Sequence, residues 1–265
     1  MLQDQLQAQR FERKYFLTER QAIQVRDFIS AHLQLDENSK SRSGHKYPVH
    51  SLYLDSHELA TYWATVHCEK KRFKLRVRFY DDAPDAPLYF EIKRREGESI
   101  IKQRGAVHRE FGTLLLAGHL PGPEHLVYDR PQHLASLQRF VYLMQRLHAV
   151  PVVHIGYERE AWKSPEGNSV RVTFDTQVRG EVQRDATFTT RMAAPDFPFG
   201  NQTVLELKFT DRFPDWLGNM VRHLRLVRTG APKYCGSVAL GGEQRILSAA
   251  FNARQQTLKT VSRFL

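Results

Sequence analysis

Phe73-Lys74-Leu75-Arg76-Val77-Arg78-Phe79 alternates without a break between apolar and basic residues. Successive side chains of a strand point to opposite faces. One face of this stretch therefore carries Lys74, Arg76 and Arg78, and the other carries Phe73, Leu75, Val77 and Phe79. A helix would scatter the same residues around its circumference, so the pattern predicts a strand over 72–80 with one apolar and one cationic face. Working outward, the same division recurs. Glu91, Lys93 and Arg95 stand opposite Phe90 and Ile92, and Glu206 and Lys208 stand opposite Leu205, Leu207 and Phe209. Glu12 and Lys14 alternate with Phe11, and Arg171 and Asp175 alternate with Val170, Val172 and Phe174.

Around these stretches the chain reads as strand-rich. Strands are predicted over 11–16, 49–55, 72–80, 88–95, 99–105, 152–163, 169–176 and 203–210. Asp81, Asp82, Pro84, Asp85 and Pro87 break the chain between two of them. Thr18 and Gln21 form a capping-box pattern before a helix over 19–34, whose Ala22, Val25, Phe28, Ile29 and Leu33 recur at helical spacing. Residues 36–48 read as a loop, and Ser56 is expected to cap a short helix through 64. Residues 111–150 read as a largely helical insertion with Leu134, Leu137, Phe140, Val141 and Met144 on one stripe. Further helices are predicted over 214–226 and 236–252. No repeat or low-complexity linker divides the chain, so one domain over 1–265 is expected. Strands that outnumber helices and lie close in sequence indicate an α+β fold, an antiparallel sheet or barrel with helices attached.

Bulk composition narrows the partners. Lys and Arg number 39 against 29 Asp and Glu, a net charge of +10. That sign favours a polyanion, whether nucleic acid, anionic membrane or a phosphate-rich small molecule. Cys68 and Cys235 show no metal-ligand spacing, and a reduced compartment is the simpler reading. Residues 1–10 are polar and glutamine-rich, unlike a secretory signal. No apolar run reaches the roughly 18 residues needed to cross a bilayer. A cytoplasmic protein with no membrane segment is expected.

A half-polar strand is ordinary in an antiparallel sheet, where the polar face meets solvent. Here, however, the polar faces carry Arg and Lys together with Glu, and a guanidinium fork matches phosphate oxygens two at a time. If the sheet curls with these faces inward, like charges gather. Two of them ~4 Å apart repel by about 4 kcal/mol at an effective dielectric near 20. Arg–Glu pairing relieves that repulsion, and a polyphosphate would relieve it further. Carboxylates beside phosphates also suit Mg²⁺ or Mn²⁺. Asp55 and Asp175 read as structural partners of basic residues, and no histidine spacing suggests catalysis.

The Glu12-Arg13-Lys14 string resembles the ExK signature of the triphosphate tunnel metalloenzymes. Within that group the chain is most similar to the VTC catalytic domain, the polyphosphate polymerase. The matching pieces are FERKYFL (11–17), SLYLDS (51–56), KLRVRFY (74–80), YFEIKRREG (89–97), YERE (157–160), VRVTFDT (170–176), VLELKF (204–209) and KYCGSV (233–238). They run in order along nearly the whole chain.

The resemblance implies an antiparallel β-barrel of about eight strands with helices packed outside. It implies phosphate-holding roles for Lys14, Arg76, Arg78, Lys93, Arg159 and Arg171, with Lys208 beside the metal. Substrate contacts would come from Lys102 or Arg104, which share a face, from Lys233, and from Tyr157. Glu206 would hold Mn²⁺ or Mg²⁺, with Glu12 and Glu91 as further metal candidates. The implied reaction moves the ATP γ-phosphate onto a growing polyphosphate chain. A triphosphate hydrolase and a non-catalytic polyphosphate or nucleic-acid binder are the competing functions. Nucleic acid is not expected, because the aromatic residues alternate with the basic ones and so fall on the opposite face.

Overall fold

The structure, a computed structural model, describes residues 10–243 apart from Glu98 and residues 166–168. In chain order the elements are β1 (Arg10–Leu17), α1 (Glu19–Ser30), β2 (Gln34–Leu35), α2 (Glu37–Lys40), β3 (Tyr47–Asp55), α3 (Ala60–Val66), β4 (Lys71–Phe79), β5 (Leu88–Glu96), β6 (Ser99–Val107), α4 (Gly112–Leu116), α5 (Pro131–Leu147), β7 (Val150–Lys163), β8 (Val170–Val182), β9 (Thr203–Thr210), α6 (Asp215–His223) and α7 (Lys233–Gly241).

The strands form one antiparallel sheet in the order β1-β9-β8-β7-β3-β4-β5-β6, with β2 added beside β7. The fold is thus α+β, but the expected barrel is not closed by main-chain hydrogen bonds. Edge strands β1 and β6 approach one another without forming a ladder among the described residues. Twist and coiling of a long sheet bring its two edges together. One ion pair reaches between the two wings, Lys93 Nζ of β5 lying 3.6 Å from Glu12 Oε2 of β1.

The apolar faces of the strands turn outward and are covered by helices. Against β4 and β5 lies α5, whose Leu137, Phe140, Val141 and Met144 join Leu75, Val77, Phe79, Phe90 and Ile92 in one buried cluster. Phe90 and Phe140 meet edge to face at 5.0 Å. Gly105 of β6 allows this approach, since a Cβ there would lie 2.9 Å from the His133 carbonyl oxygen. A strand glycine at such a contact lets another backbone come close. On the other wing, Ala22, Val25 and Ile29 of α1 pack with Val172, Phe174, Leu205 and Leu207. The Thr18–Gln21 capping box starts α1 as its sequence predicts.

Several boundaries differ from the sequence expectations. α1 stops at Ser30 because the chain then turns to pair Gln34 and Leu35 with Lys163 and Trp162. The predicted loop over 36–48 contains α2, whose N-cap Asp36 accepts the Ser39 amide. α3 begins at Ala60 rather than after Ser56. Asp55 gathers the amides of Ser56, Thr61 and Tyr62, and Leu59 holds a left-handed φ of 58°. The insertion over 111–150 is α-helical only in α4 and α5, with a single 3-10 turn over Pro123–His125 in the chain between them. β8 continues past 176 because a bulge in β7 between Gly156 and Glu158 restores its pairing. Pro214 and Pro232 precede α6 and α7, consistent with the preference of proline for helix starts. The part of the predicted 236–252 helix beyond residue 243, and residues 1–9, lie outside the described residues.

Candidate functional site

Because the apolar faces point outward, the charged faces of β1, β4, β5, β6, β7, β8 and β9 meet inside the curl. They surround a cavity of about 1350 Å³. Lys14, Arg76, Arg78, Lys93, Lys102, Arg104, Arg159, Arg171, Lys208 and Lys233 all line it, as do Glu12, Glu206 and Tyr157. The structure therefore brings together almost every residue singled out in the sequence. The exception is Glu91, which lies beneath the wall with no exposed surface.

Two ion-pair centres organise these groups. In the first, Glu206 lies 3.3 Å from Lys14, 2.9 Å from Lys208, 3.4 Å from Lys233 and 3.7 Å from Arg159. The strand pairing Lys14↔Glu206 sets this arrangement from the backbone. Neighbouring carboxylates share the same cations. Glu12 is 3.0 Å from Lys14, and Asp175 takes both Arg159 nitrogens at 2.7 Å and Lys233 at 2.6 Å. Burial pushes the Glu206 carboxyl up, but Lys14, Lys208, Lys233 and Arg159 outweigh it and hold the group well below the usual carboxylate range. Glu12 behaves alike, with burial opposed by Lys14 and Lys93, and is held at about 2. Burial likewise opposes the Lys14 charge, and Glu206 with Glu12 raises its pKa above the ordinary value.

In the second centre, Glu91 lies 2.6 Å from Arg76, 2.5 Å from Lys102 and 3.7 Å from Arg104. Tyr53 holds the other side of Arg76, accepting a hydrogen bond from Nη1 at 2.9 Å. Arg78 donates to Tyr157 Oη at 3.2 Å and to Ser51 Oγ at 3.4 Å. Burial lowers Lys102 to about 7 despite the attraction of Glu91, and lowers Lys93 to about 8 despite Glu12. Arg171 stands apart at the rim, 2.8 Å from Asp36.

Among the described residues no group of three or more His, Cys, Asp or Glu side chains is placed to hold a metal ion. The described residues alone therefore present no ready-made metal cage. Mg²⁺ is commonly bound by one or two carboxylates completed by phosphate oxygens and water. Glu206 with Glu12 fits that partial role, since both reach the cavity and are faced by flexible ammonium groups that a phosphate can draw away. Glu91 fits it less well, being shut from the cavity by its cations.

Apart from Tyr157, named as a substrate contact, the sequence reading missed the tyrosines. Tyr47, Tyr53, Tyr80, Tyr89, Tyr157 and Tyr234 line the cavity beside the cations, so the expectation that aromatic residues fall on the opposite face holds for phenylalanines such as Phe79 and Phe90 but not for these. The signal was present: Tyr80 continues the parity of Arg76 and Arg78, and Tyr89 that of Glu91 and Lys93. Cations lie over these rings, with Arg159 and Lys233 at 5.2 and 4.8 Å from the Tyr157 centroid and Arg76 at 5.7 Å from that of Tyr53. Asp175 pairs with basic residues as expected, whereas Asp55 instead receives backbone amides and the hydroxyls of Thr61 and Tyr234. Cys68 and Cys235 are both free. No described helix is long and apolar enough to cross a membrane.

Fold and cavity together define an α+β protein shaped to surround a polyanion. The chain belongs to the VTC domain family, whose family model matches residues 9–241. It is 22% identical over 243 residues to the vacuolar transporter chaperone complex subunit 4 of Schizosaccharomyces pombe, a match covering 78% of this chain. The same match covers 34% of that protein, so the chain spans about a third of the length of this curated relative. A crystal structure of a Bacillus halodurans protein, provisionally described as an adenylate cyclase, aligns with 84% of this chain and 94% of its own. Its TM-score is 0.47 at 8% identity. That likeness is too loose to carry an argument.

Proposed function

We propose that the chain is a polyphosphate polymerase-like phosphotransferase that moves the γ-phosphate of ATP onto the end of a polyphosphate chain inside the cavity. The observation that supports this most is the convergence of fifteen basic side chains on one cavity, where the carboxylates of Glu12 and Glu206 are already paired to cations. An anionic chain of evenly spaced charges suits such a wall better than a single compact anion does. A terminal oxygen of the acceptor attacks the γ-phosphorus, the bond to the β-phosphate oxygen breaks, and ADP leaves. Such transfers depend on alignment and charge neutralisation more than on covalent help from the protein.

In this reading Lys14, Arg76, Arg78, Lys93, Arg159, Arg171 and Lys208 neutralise and align the reacting phosphates. Lys102, Arg104, Tyr157 and Lys233 hold the remainder of the substrate. Asp175 keeps Arg159 and Lys233 extended toward the cavity through its three short contacts. Glu206, helped by Glu12, would hold Mn²⁺ or Mg²⁺ together with phosphate oxygens. The bound ion would supply charge neutralisation where negative charge builds up. Glu91 acts as the partner that sets Arg76 and Lys102. The cavity would thus work as a tunnel, with the seam between β1 and β6 closed by side chains. ATP as donor fits a cytoplasmic setting, and a complex with other subunits, as the name of the fission-yeast relative indicates for that protein, is the natural extension.

The test is incubation of purified protein with ATP and Mn²⁺ or Mg²⁺, following ADP, free phosphate and long-chain polyphosphate together. ADP with polymer is expected, and loss of both in Glu206→Gln. Phosphate release without polymer would replace the reading by triphosphate hydrolysis. Tight polyphosphate binding with no turnover would replace it by a binding role.

A further inference from the structure

We propose that Tyr47, Tyr80 and Tyr89 form a stacking platform for the base of a nucleoside triphosphate at one mouth of the cavity. The inference rests on the triphosphate reading above and adds the part of the substrate that the cations do not address.

Strand register places the three rings at the same end. On β4 the cavity-facing positions run Arg72, Lys74, Arg76, Arg78 and then Tyr80, just past the strand. On β5 the cavity-lining residues are Arg95, Lys93 and Tyr89, with Glu91 buried between them, and Tyr89 pairs directly with Arg78. The pairing of His50 with Phe79 brings the start of β3, and with it Tyr47, to this mouth. All three tyrosines line the cavity. Their rings stand in a row with centroids 6.4 Å apart and planes inclined by 53° for Tyr47 and Tyr80, and 5.8 Å apart and inclined by 74° for Tyr80 and Tyr89, so each ring presents its own face to a base. Arg104 covers one face of the Tyr89 ring at 4.3 Å, leaving stacking at Tyr89 to its other face.

The chemistry of this mouth differs from that of the interior. Tyr80 and Tyr89 are only half-buried, whereas Tyr47, at 8% exposed, is held in the core and backs them, and Tyr15 and Tyr234 are each 1% exposed. Asp81 lines the cavity beside Tyr80 and repels phosphate, while its carboxylate can accept from ribose hydroxyls. The nearest interior cation, Arg78, is two residues from Tyr80, a separation of roughly 7 Å along an extended strand. A ribose bridges a comparable distance between a base and its first phosphates. Arg78 and the Glu91 centre therefore stand where phosphates would lie when a base rests on the rings.

Base–aromatic stacking tolerates any base, since every base has a π face. The platform is thus expected to favour nucleotides over bare polyphosphates without strong preference among bases. Calorimetric titration of the purified chain with ATP and with inorganic tripolyphosphate separates the two contributions. Tyr80→Ala and Tyr89→Ala are expected to weaken ATP binding about ten-fold each. Tripolyphosphate binding should stay within about two-fold, the spread of context-dependent surface effects. Tyr80→Phe and Tyr89→Phe, which keep the ring, should retain both affinities and guard against a folding defect. Equal weakening of both ligands, or of neither, would overturn the platform while leaving the triphosphate reading intact. Failure of the unaltered chain to bind either ligand would instead remove the triphosphate reading and the platform with it.

Discussion

Glu206 and Glu91 are both carboxylates sunk among cations, yet the two are secured differently. Around Glu206 the pairing is redundant. Lys14 also reaches Glu12, while Arg159 and Lys233 also reach Asp175, so each cation but Lys208 has a second anion. Around Glu91 a single carboxylate serves Arg76, Lys102 and Arg104. Redundancy lets one member of a network change partner without stranding the others. A carboxylate that must turn toward a metal or yield its lysines to phosphate belongs in the first centre. One that fixes the direction of a guanidinium belongs in the second.

The largest effect expected from this contrast is on ligand-free stability. Glu91→Gln leaves Arg76, Lys102 and Arg104 on the cavity wall without their carboxylate and is expected to cost about 2–4 kcal/mol, less than a fully buried pair because Lys102 and Arg104 are partly exposed. Glu206→Gln leaves Glu12 and Asp175 in place and is expected to cost about 1–2 kcal/mol. Urea denaturation of both variants makes the comparison, and an equal or larger loss for Glu206→Gln would break it. A smaller effect concerns the kind of cation. Arg76→Lys loses the fork shared by Glu91 and Tyr53 and should weaken tripolyphosphate binding roughly ten-fold. Lys208→Arg, in the adaptable centre, should change it by less than about three-fold. Titrations showing the reverse ranking would mean that the two centres have been assigned the wrong way round.

The smallest effect is on pH dependence. Lys102, lowered to about 7, and Lys93, lowered to about 8, are charged at pH 6 and lose their protons as the pH rises to 9. Polyanion affinity should therefore fall across that range by about three-fold, a modest change because both side chains are partly exposed. Binding at pH 8 should take up protons, visible as a dependence of the binding heat on buffer ionisation. A pH profile as steep in the Lys93→Gln, Lys102→Gln double variant as in the unaltered chain would exclude these two lysines as its source.

Much of this arrangement was legible in the alternation of residues 73–79 and its echoes. A period of two both names a strand and assigns its faces, so Arg76, Lys93 and Glu206 could be placed on a common wall before any geometry was known. The Thr18–Gln21 cap was legible for a similar reason, being local chemistry. What the alternation could not report was pairing over long range. Whether β1 and β6 would share hydrogen bonds depends on the curl of the whole sheet, to which no single strand testifies. The partners of individual charges, such as Asp36 for Arg171, depend on loops whose path is set elsewhere. The tyrosines other than Tyr157 were missed through treating all aromatic residues alike, although Tyr80 and Tyr89 share the parity of the cations and Phe73, Phe79 and Phe90 do not.

The pairing of β1 with β9 also has a consequence for how the molecule is made. Lys14 meets Glu206 only when nearly the first strand of the chain hydrogen-bonds to the last. Contacts between such distant segments carry the full entropy of closing the loop between them and tend to form late. A chain emerging from the ribosome holds Lys14, Arg76, Arg78 and Lys93 long before Glu206 exists to balance them. Synthesis of β9 is thus the event that supplies Glu206 to the cations of the interior, and a chain truncated before β9 should remain open and cling to any polyanion in its surroundings.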